Sequence, residues 1–143
     1  MSTDTLSTEV KNFNWLLDNF VNNSAGVCDA VAVSSDGLLM AMSHTLDRPG
    51  AERVAAIISG MVALSKGAAK AFGWEPVQQI VTVMDGGYLF VSSISDGSQL
   101  GVVANAGCDI GLVGYQTSLL LEKAAALLTP ALIAQLRAQV LNS

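Results

Sequence analysis

Histidine is almost missing from this 143-residue chain, cysteine is scarce, and charge is sparse. The one histidine, His44, and the two cysteines, Cys28 and Cys108, lie in separate segments with no paired spacing. A zinc site or any other metal site is therefore not expected, because such sites need several ligands at short intervals. A Cys–His nucleophilic pair has no local support, and His44 reads as a surface loop residue. No GxxxxGK[ST] loop occurs, and the glycines at 107, 111 and 114 do not form GxGxxG, so nucleotide binding by those devices is not expected. Seven basic residues against 12 acidic ones leave no basic face for nucleic acid. The acidic side chains Asp36, Asp85, Asp96 and Asp109 are placed for turns and a helix cap rather than as catalytic pairs. Neither a catalytic residue nor a cofactor is implied.

Long uninterrupted apolar runs are also lacking. The greasiest segment is broken by Ser59, Gly60, Ser65, Lys66 and Gly67, so direct membrane insertion is not expected. The N-terminus has neither the basic start nor the apolar centre of a secretory signal, which makes a cytoplasmic address the default and reduced thiols the expectation. Composition then turns from exclusion to description. With 51% apolar and 13% charged residues, a chain of one-domain length folds and has apolar surface left over.

Periodicity orders the elements. Val10, Phe13, Leu17 and Phe20 predict a helix over residues 7–22, capped by Ser7 and preceded by a tail over about 1–6. Apolar runs at 29–34 and 38–43 flank Ser35-Asp36-Gly37 and predict a hairpin. A long helix follows, entered through Asp47 and Pro49 and stopped near Gly73 and Pro76. Strands are predicted at 77–84, 88–95 and 99–105, joined by Asp-Gly turns. Asp109 caps a helix over 110–128, and Thr129 with Pro130 starts a last one over 130–141. The order α-β-β-α-β-β-β-α plus a tail helix predicts one α/β domain over residues 1–143, a single five-stranded antiparallel sheet with helices on its faces. Trp15 and Trp74 read as core or edge packing residues.

The long helix has too little polar surface for its length. At about 100° per residue, Val54, Ile57, Ile58, Met61, Leu64, Ala68 and Phe72 form the side expected on the sheet. A second stripe, Ala56, Gly60, Ala63 and Gly67, leaves room for another backbone, either the chain's own sheet and loops or the same helix of a second copy. Each interior glycine costs roughly 1 kcal/mol relative to alanine, which close packing would offset. Between the stripes run Glu52, Ser59, Lys66 and Lys70, a narrow polar strip.

The strings NWLLDNFV (14–21), VAVSSDGLLMAMS (31–43), AERVAAIISGMVALSKGAAKAFG (51–73), GGYLFVSSISDGS (86–98) and DIGLVGYQTSLLLEK (109–123), in this order, resemble the Roadblock dynein-light-chain family. The similarity is greatest to its actinobacterial branch, related to the bacterial MglB-type GTPase partners. The resemblance implies an α/β sandwich, with the central helix on one face of the sheet and the first and third helices on the other. It implies a homodimer joined through the third strand, here Val77, Ile80, Val81 and Val83, and through the paired central helices with their stripe of Ala56, Gly60, Ala63 and Gly67. It further implies a non-enzymatic platform that binds and regulates a Ras-like small GTPase, with Glu52, Ser59, Lys66 and Lys70 as contacts and no invariant catalytic side chain. The branch looks like one component of four-gene conservon systems that also encode a sensor kinase-like protein and a small GTPase, so partners at a membrane are implied as well. A structural adaptor or a small-molecule sensor module are the competing readings. Arg53 falls toward the small stripe, where a dimer contact is expected rather than an arginine finger.

Overall fold

The computed structural model describes residues 3–94 and 96–142. The chain runs α1 (Thr3–Asn23), β1 (Val27–Val33), β2 (Leu39–Met42), α2 (Arg48–Phe72), β3 (Gln79–Met84), β4 (Gly87–Ser93), β5 (Gln99–Asn105), α3 (Ile110–Leu127) and α4 (Pro130–Leu141). Every neighbouring strand pair is antiparallel, and the strands lie in the order β2-β1-β5-β4-β3. The element order and the single five-stranded sheet agree with the sequence patterning, and residues 130–141 are helical as expected.

Several boundaries differ: β1 begins at Val27 rather than at residue 29, and β4 ends at Ser93. The tail expected over about 1–6 is helical from Thr3, with Met1 and Ser2 outside the described residues. No Gly or Pro interrupts residues 3–23, and with the helix starting at Thr3, Ser7 is an interior residue rather than a cap. The third strand begins at Gln79 rather than Val77, and the expected end of the fourth strand, Ser95, lies outside the described residues.

The sheet separates two cores. On one face α1 contributes Phe13, Leu17 and Phe20, which meet Ala30, Ala32, Met40, Phe90, Leu100 and Val102, with Val113 and Leu120 of α3 and Leu132 and Leu136 of α4 completing the layer. On the other face α2 covers the sheet, through Ala51, Ala55, Ile58 and Val62 against Val31, Val33, Leu39, Leu89 and Val91, with Val140 of α4 packed at its margin. The helix lies close because β5 carries Gly101 beneath it. A Cβ there would fall 2.3 Å from Ile58 Cδ1. Alternating burial on two opposite faces is what a strand period of two produces.

The caps predicted at Asp109 and Thr129 are present, and Asp47, read as the entry to α2, caps it. Asp47 accepts from Gly50 N–H at 2.8 Å, Asp109 from Leu112 N–H at 3.1 Å, and the Thr129 hydroxyl from Leu132 N–H at 3.1 Å. Gly73, at φ 71°, ends α2 in the left-handed conformation that a glycine adopts without strain. His44 is exposed and ties its loop to α1, its backbone N–H and its Nδ1 both meeting Asp18 Oδ1.

Candidate functional site

The long helix changes character halfway along. In its first half Ala51, Ala55, Ile58 and Val62 are buried, whereas after Val62 no residue is. Spacing of 4, 3 and 4 places these four on one line of the helix, and half-buried Val54 and Met61 border it. The face expected on the sheet is therefore shifted. Ile57 is 50% exposed, Leu64 80% and Phe72 64%, and Ala68 is exposed too. Ala51 and Ala55 explain the shift, since small side chains let the helix approach a sheet already filled by valines and leucines.

Ala56, Gly60, Ala63 and Gly67 are all exposed, and a Cβ added to Gly60 or Gly67 would meet nothing within 4 Å. Their smallness is thus not required by the chain's own sheet or loops. Trp74, expected in a core or edge packing role, is 75% exposed and stacks on Phe72 with ring centroids 5.1 Å apart. Trp15 is likewise 63% exposed on α1. Nothing in periodicity alone distinguished these aromatic residues from core ones, because every large apolar side chain scores alike on a helical wheel.

The polar strip does not form one surface. Glu52 is ion-paired to Arg48 at 2.9 Å. Ser59 is half-buried and turned inward, its hydroxyl meeting the Ala55 carbonyl oxygen at 2.8 Å and the Gly37 carbonyl oxygen of the β1–β2 turn at 3.2 Å. Lys66 and Lys70 are exposed at the far end of the helix and form no ion pair among the described residues. Glu52 and Lys70 are 18 residues apart, about 27 Å along a helix axis. Arg53 is exposed.

Lys66 and Lys70 instead line a cleft of about 980 Å³ between the outer half of α2 and residues 75–79, floored by Ser92, Ser93 and Gln99. The Ser93 hydroxyl donates to the Val77 carbonyl oxygen at 3.0 Å, so Val77 is held beside β4 but lies outside β3. Among the β3 residues singled out, Ile80 is half-buried against the α2 side. Val81 and Val83 point the other way, 46% and 72% exposed. The outer edge of β3 pairs with no strand among the described residues. This unpaired edge and the uncovered half of α2 flank the same cleft.

Among the described residues no three His, Cys, Asp or Glu side chains gather to hold a metal ion, and both cysteines are free thiols. By length and composition alone α2 is long and apolar enough to cross a membrane. Its inner half is accounted for by the core; its outer half is not.

The Roadblock/LC7 domain model matches residues 13–104. The chain belongs to the Roadblock/LC7 family. A Roadblock/LC7 domain from Streptomyces avermitilis shares 32% sequence identity over 79% of this chain and 94% of its own, with a TM-score of 0.74. Two solved structures at 18% identity show the same fold: MglB of Myxococcus xanthus, with a TM-score of 0.72 over 80% of this chain and 93% of its own, and the gliding protein MglB of Thermus thermophilus, 0.74 over 83% and 90%. No curated protein matches the sequence. Roadblock/LC7 proteins are in general non-catalytic adaptors or regulators.

Proposed function

We propose that this chain is a homodimeric platform that binds and regulates a Ras-like small GTPase in a bacterial signalling system. The observation that carries the proposal is the uncovered outer half of α2, with Gly60 and Gly67 open to space, beside the bare edge of β3. Two copies related by a two-fold axis would pair β3 with β3 into one continuous sheet and bring the small stripes together. Gly60 and Gly67 would let the helix axes approach to about 8 Å, the short end of helix packing. Burial of Leu64, Phe72 and Trp74 would then offset the roughly 2 kcal/mol that two interior glycines cost.

The family supplies the partner class. Its members serve as dimeric platforms for Ras-like small GTPases, and the paired α2 helices are the docking face. Glu52 lies near the start of that face and Lys66 and Lys70 near its end, so a GTPase would be gripped at two separated places, with Ser59 acting indirectly by fixing the β1–β2 turn. Any stimulation of hydrolysis would come from ordering the GTPase's own residues, as Arg53 is placed beside the stripe that pairs the copies. A cytoplasmic location, with membrane association only through a sensor kinase-like partner, fits this role.

The test is binding of the purified dimer to candidate Ras-like GTPases loaded with GDP or with a GTP analogue. A preference of tenfold or more for one nucleotide state supports regulation, since only differential affinity can shift a two-state switch. Equal affinity for both states reduces the protein to an adaptor. The cleft beside Lys66 and Lys70 favours a second reading, a small-molecule sensor. A melting-temperature shift with a metabolite extract, and none with a GTPase, would favour it.

A further inference from the structure

On the face opposite α2, helices α1 and α3 lie antiparallel, with Leu16 of α1 beside Lys123 of α3 and Asn23 near Gln116. Between them opens a groove of about 390 Å³ lined by Asn12, Trp15, Leu16, Lys123, Ala126 and Leu127. Its wall is apolar apart from one amide and one ammonium, and no acidic residue lines it. Trp15 stands at its rim with 63% of its surface exposed. Along α3 the apolar surface continues through Leu119, Tyr115 and Leu112, all exposed and spaced by 4 and 3 residues on one line of the helix.

We infer that this valley is a second docking site, and that its occupant is an amphipathic helix of a partner protein with acidic residues on its flank. Three features select that occupant. A valley between two antiparallel helices has the shape into which the side-chain ridge of a third helix packs. An extended segment laid on so apolar a floor would leave its backbone amides and carbonyls without partners, whereas a helix satisfies its own. The one charged residue in the lining is basic: Lys123 lines the groove, Lys11 is exposed one turn before Trp15, and neither lysine has an ion-pair partner among the described residues. An acidic flank would meet both, and in a chain of net charge −5 these two lysines lie apart from the basic residues of α2. The site is on the far side of the sheet from α2, so a partner held there does not compete with the pairing of α2 helices or with a GTPase seated on them.

The test is selection of a displayed library of helical peptides, randomised on one face and its flanks, against the full-length protein. Enriched peptides are expected to carry apolar residues at i, i+3/i+4 and i+7 with Asp or Glu alongside. Their affinity should fall about 30-fold in Trp15→Ala, as removal of a tryptophan anchor does once a partner covers it, and several-fold in Lys123→Glu. Both variants should keep the wild-type melting temperature and solution mass, because neither side chain is in a core. Selected helices that bind Trp15→Ala as well as wild type, or that prefer Lys123→Glu, would overturn the assignment. So would failure of the selection to enrich any helix that competes for the groove. None of these outcomes depends on whether a GTPase binds α2.

Discussion

The two edges of the sheet are treated in opposite ways. At one edge β2 is only four residues long, and α4 lies against it, sending Leu132 and Leu136 into the core and Val140 around to the α2 side. Arg137 of α4 also reaches the turn that closes the β1–β2 hairpin, 3.2 Å from Asp36. At the other edge β3 is six residues long, has no proline, lysine or bulge, and presents Val81 and Val83 to solvent. Natural sheets blunt free edges with short strands, charges, bulges or covers, because an unprotected edge recruits another strand. The β2 edge is short, shifted in register against β1 and covered by α4. The β3 edge uses none of these devices, which is the pattern of an edge meant to be paired, and it lies next to the uncovered outer half of α2.

Removing the cover should have the largest effect. Truncation before Pro130 deletes Leu132 and Leu136, two fully buried leucines, at about 2 to 5 kcal/mol each. The expected result in urea unfolding is a loss of most of the chain's stability, with aggregation through the freed β2 edge. Next in size is Ile58→Ala on the inner half of α2, expected to cost about 2 to 5 kcal/mol because Ile58 is fully buried. Leu64→Ala, two turns further along, removes a side chain that is 80% exposed and should leave the unfolding of a dilute monomer almost unchanged while weakening self-association. A similar cost for both would erase the distinction between the two halves of the helix.

Smaller effects are expected at the surface proposed to pair. Gly60→Leu should oppose pairing by about 1 to 3 kcal/mol per site through overpacking, with no loss of fold, since the site is open within one chain. Val83→Lys places a charge beside the β3 edge and should shift the monomer–dimer equilibrium the same way, read by concentration-dependent gel filtration. The smallest effect concerns the covered edge. The Ser34 hydroxyl, and secondarily Arg137, hold the Asp36 carboxyl below its ordinary pKa of 3.8. A carboxyl lowered on folding stabilises the fold above its unfolded pKa, and that contribution is lost as pH falls through the folded one. Acid unfolding of Asp36→Asn should therefore be slightly less pH-dependent than that of wild type below about pH 4.

Much of the fold was legible because turns and caps carry local chemistry. Asp36-Gly37, Asp47 with Pro49, Gly73 and Thr129-Pro130 each mark a boundary that the backbone needs, so the element order followed. The phase of α2 did not follow. A helix with apolar residues on several sides has no single buried line, and only the packed sheet reveals that Ala51 and Ala55 lie inward while Leu64 and Phe72 lie out. The same ambiguity hid Trp15 and Trp74. Their exposure depends on what the neighbouring elements leave uncovered, which is a property of the assembled layers. Ser59 was misplaced for a related reason, because its inward hydrogen bond requires the β1–β2 turn to come close to α2. The small stripe was legible in sequence, but only the open space at Gly60 and Gly67 shows that it does not pack within the chain.

The most direct test of the central claim is the solution mass, by light scattering after gel filtration, of the wild type beside Gly60→Leu and Val83→Lys. A wild type at about twice 14.8 kDa, with both variants folded and shifted to the monomer mass, is the predicted result. A wild-type monomer, or a dimer that both variants leave intact, would contradict the pairing of α2 with α2 and β3 with β3.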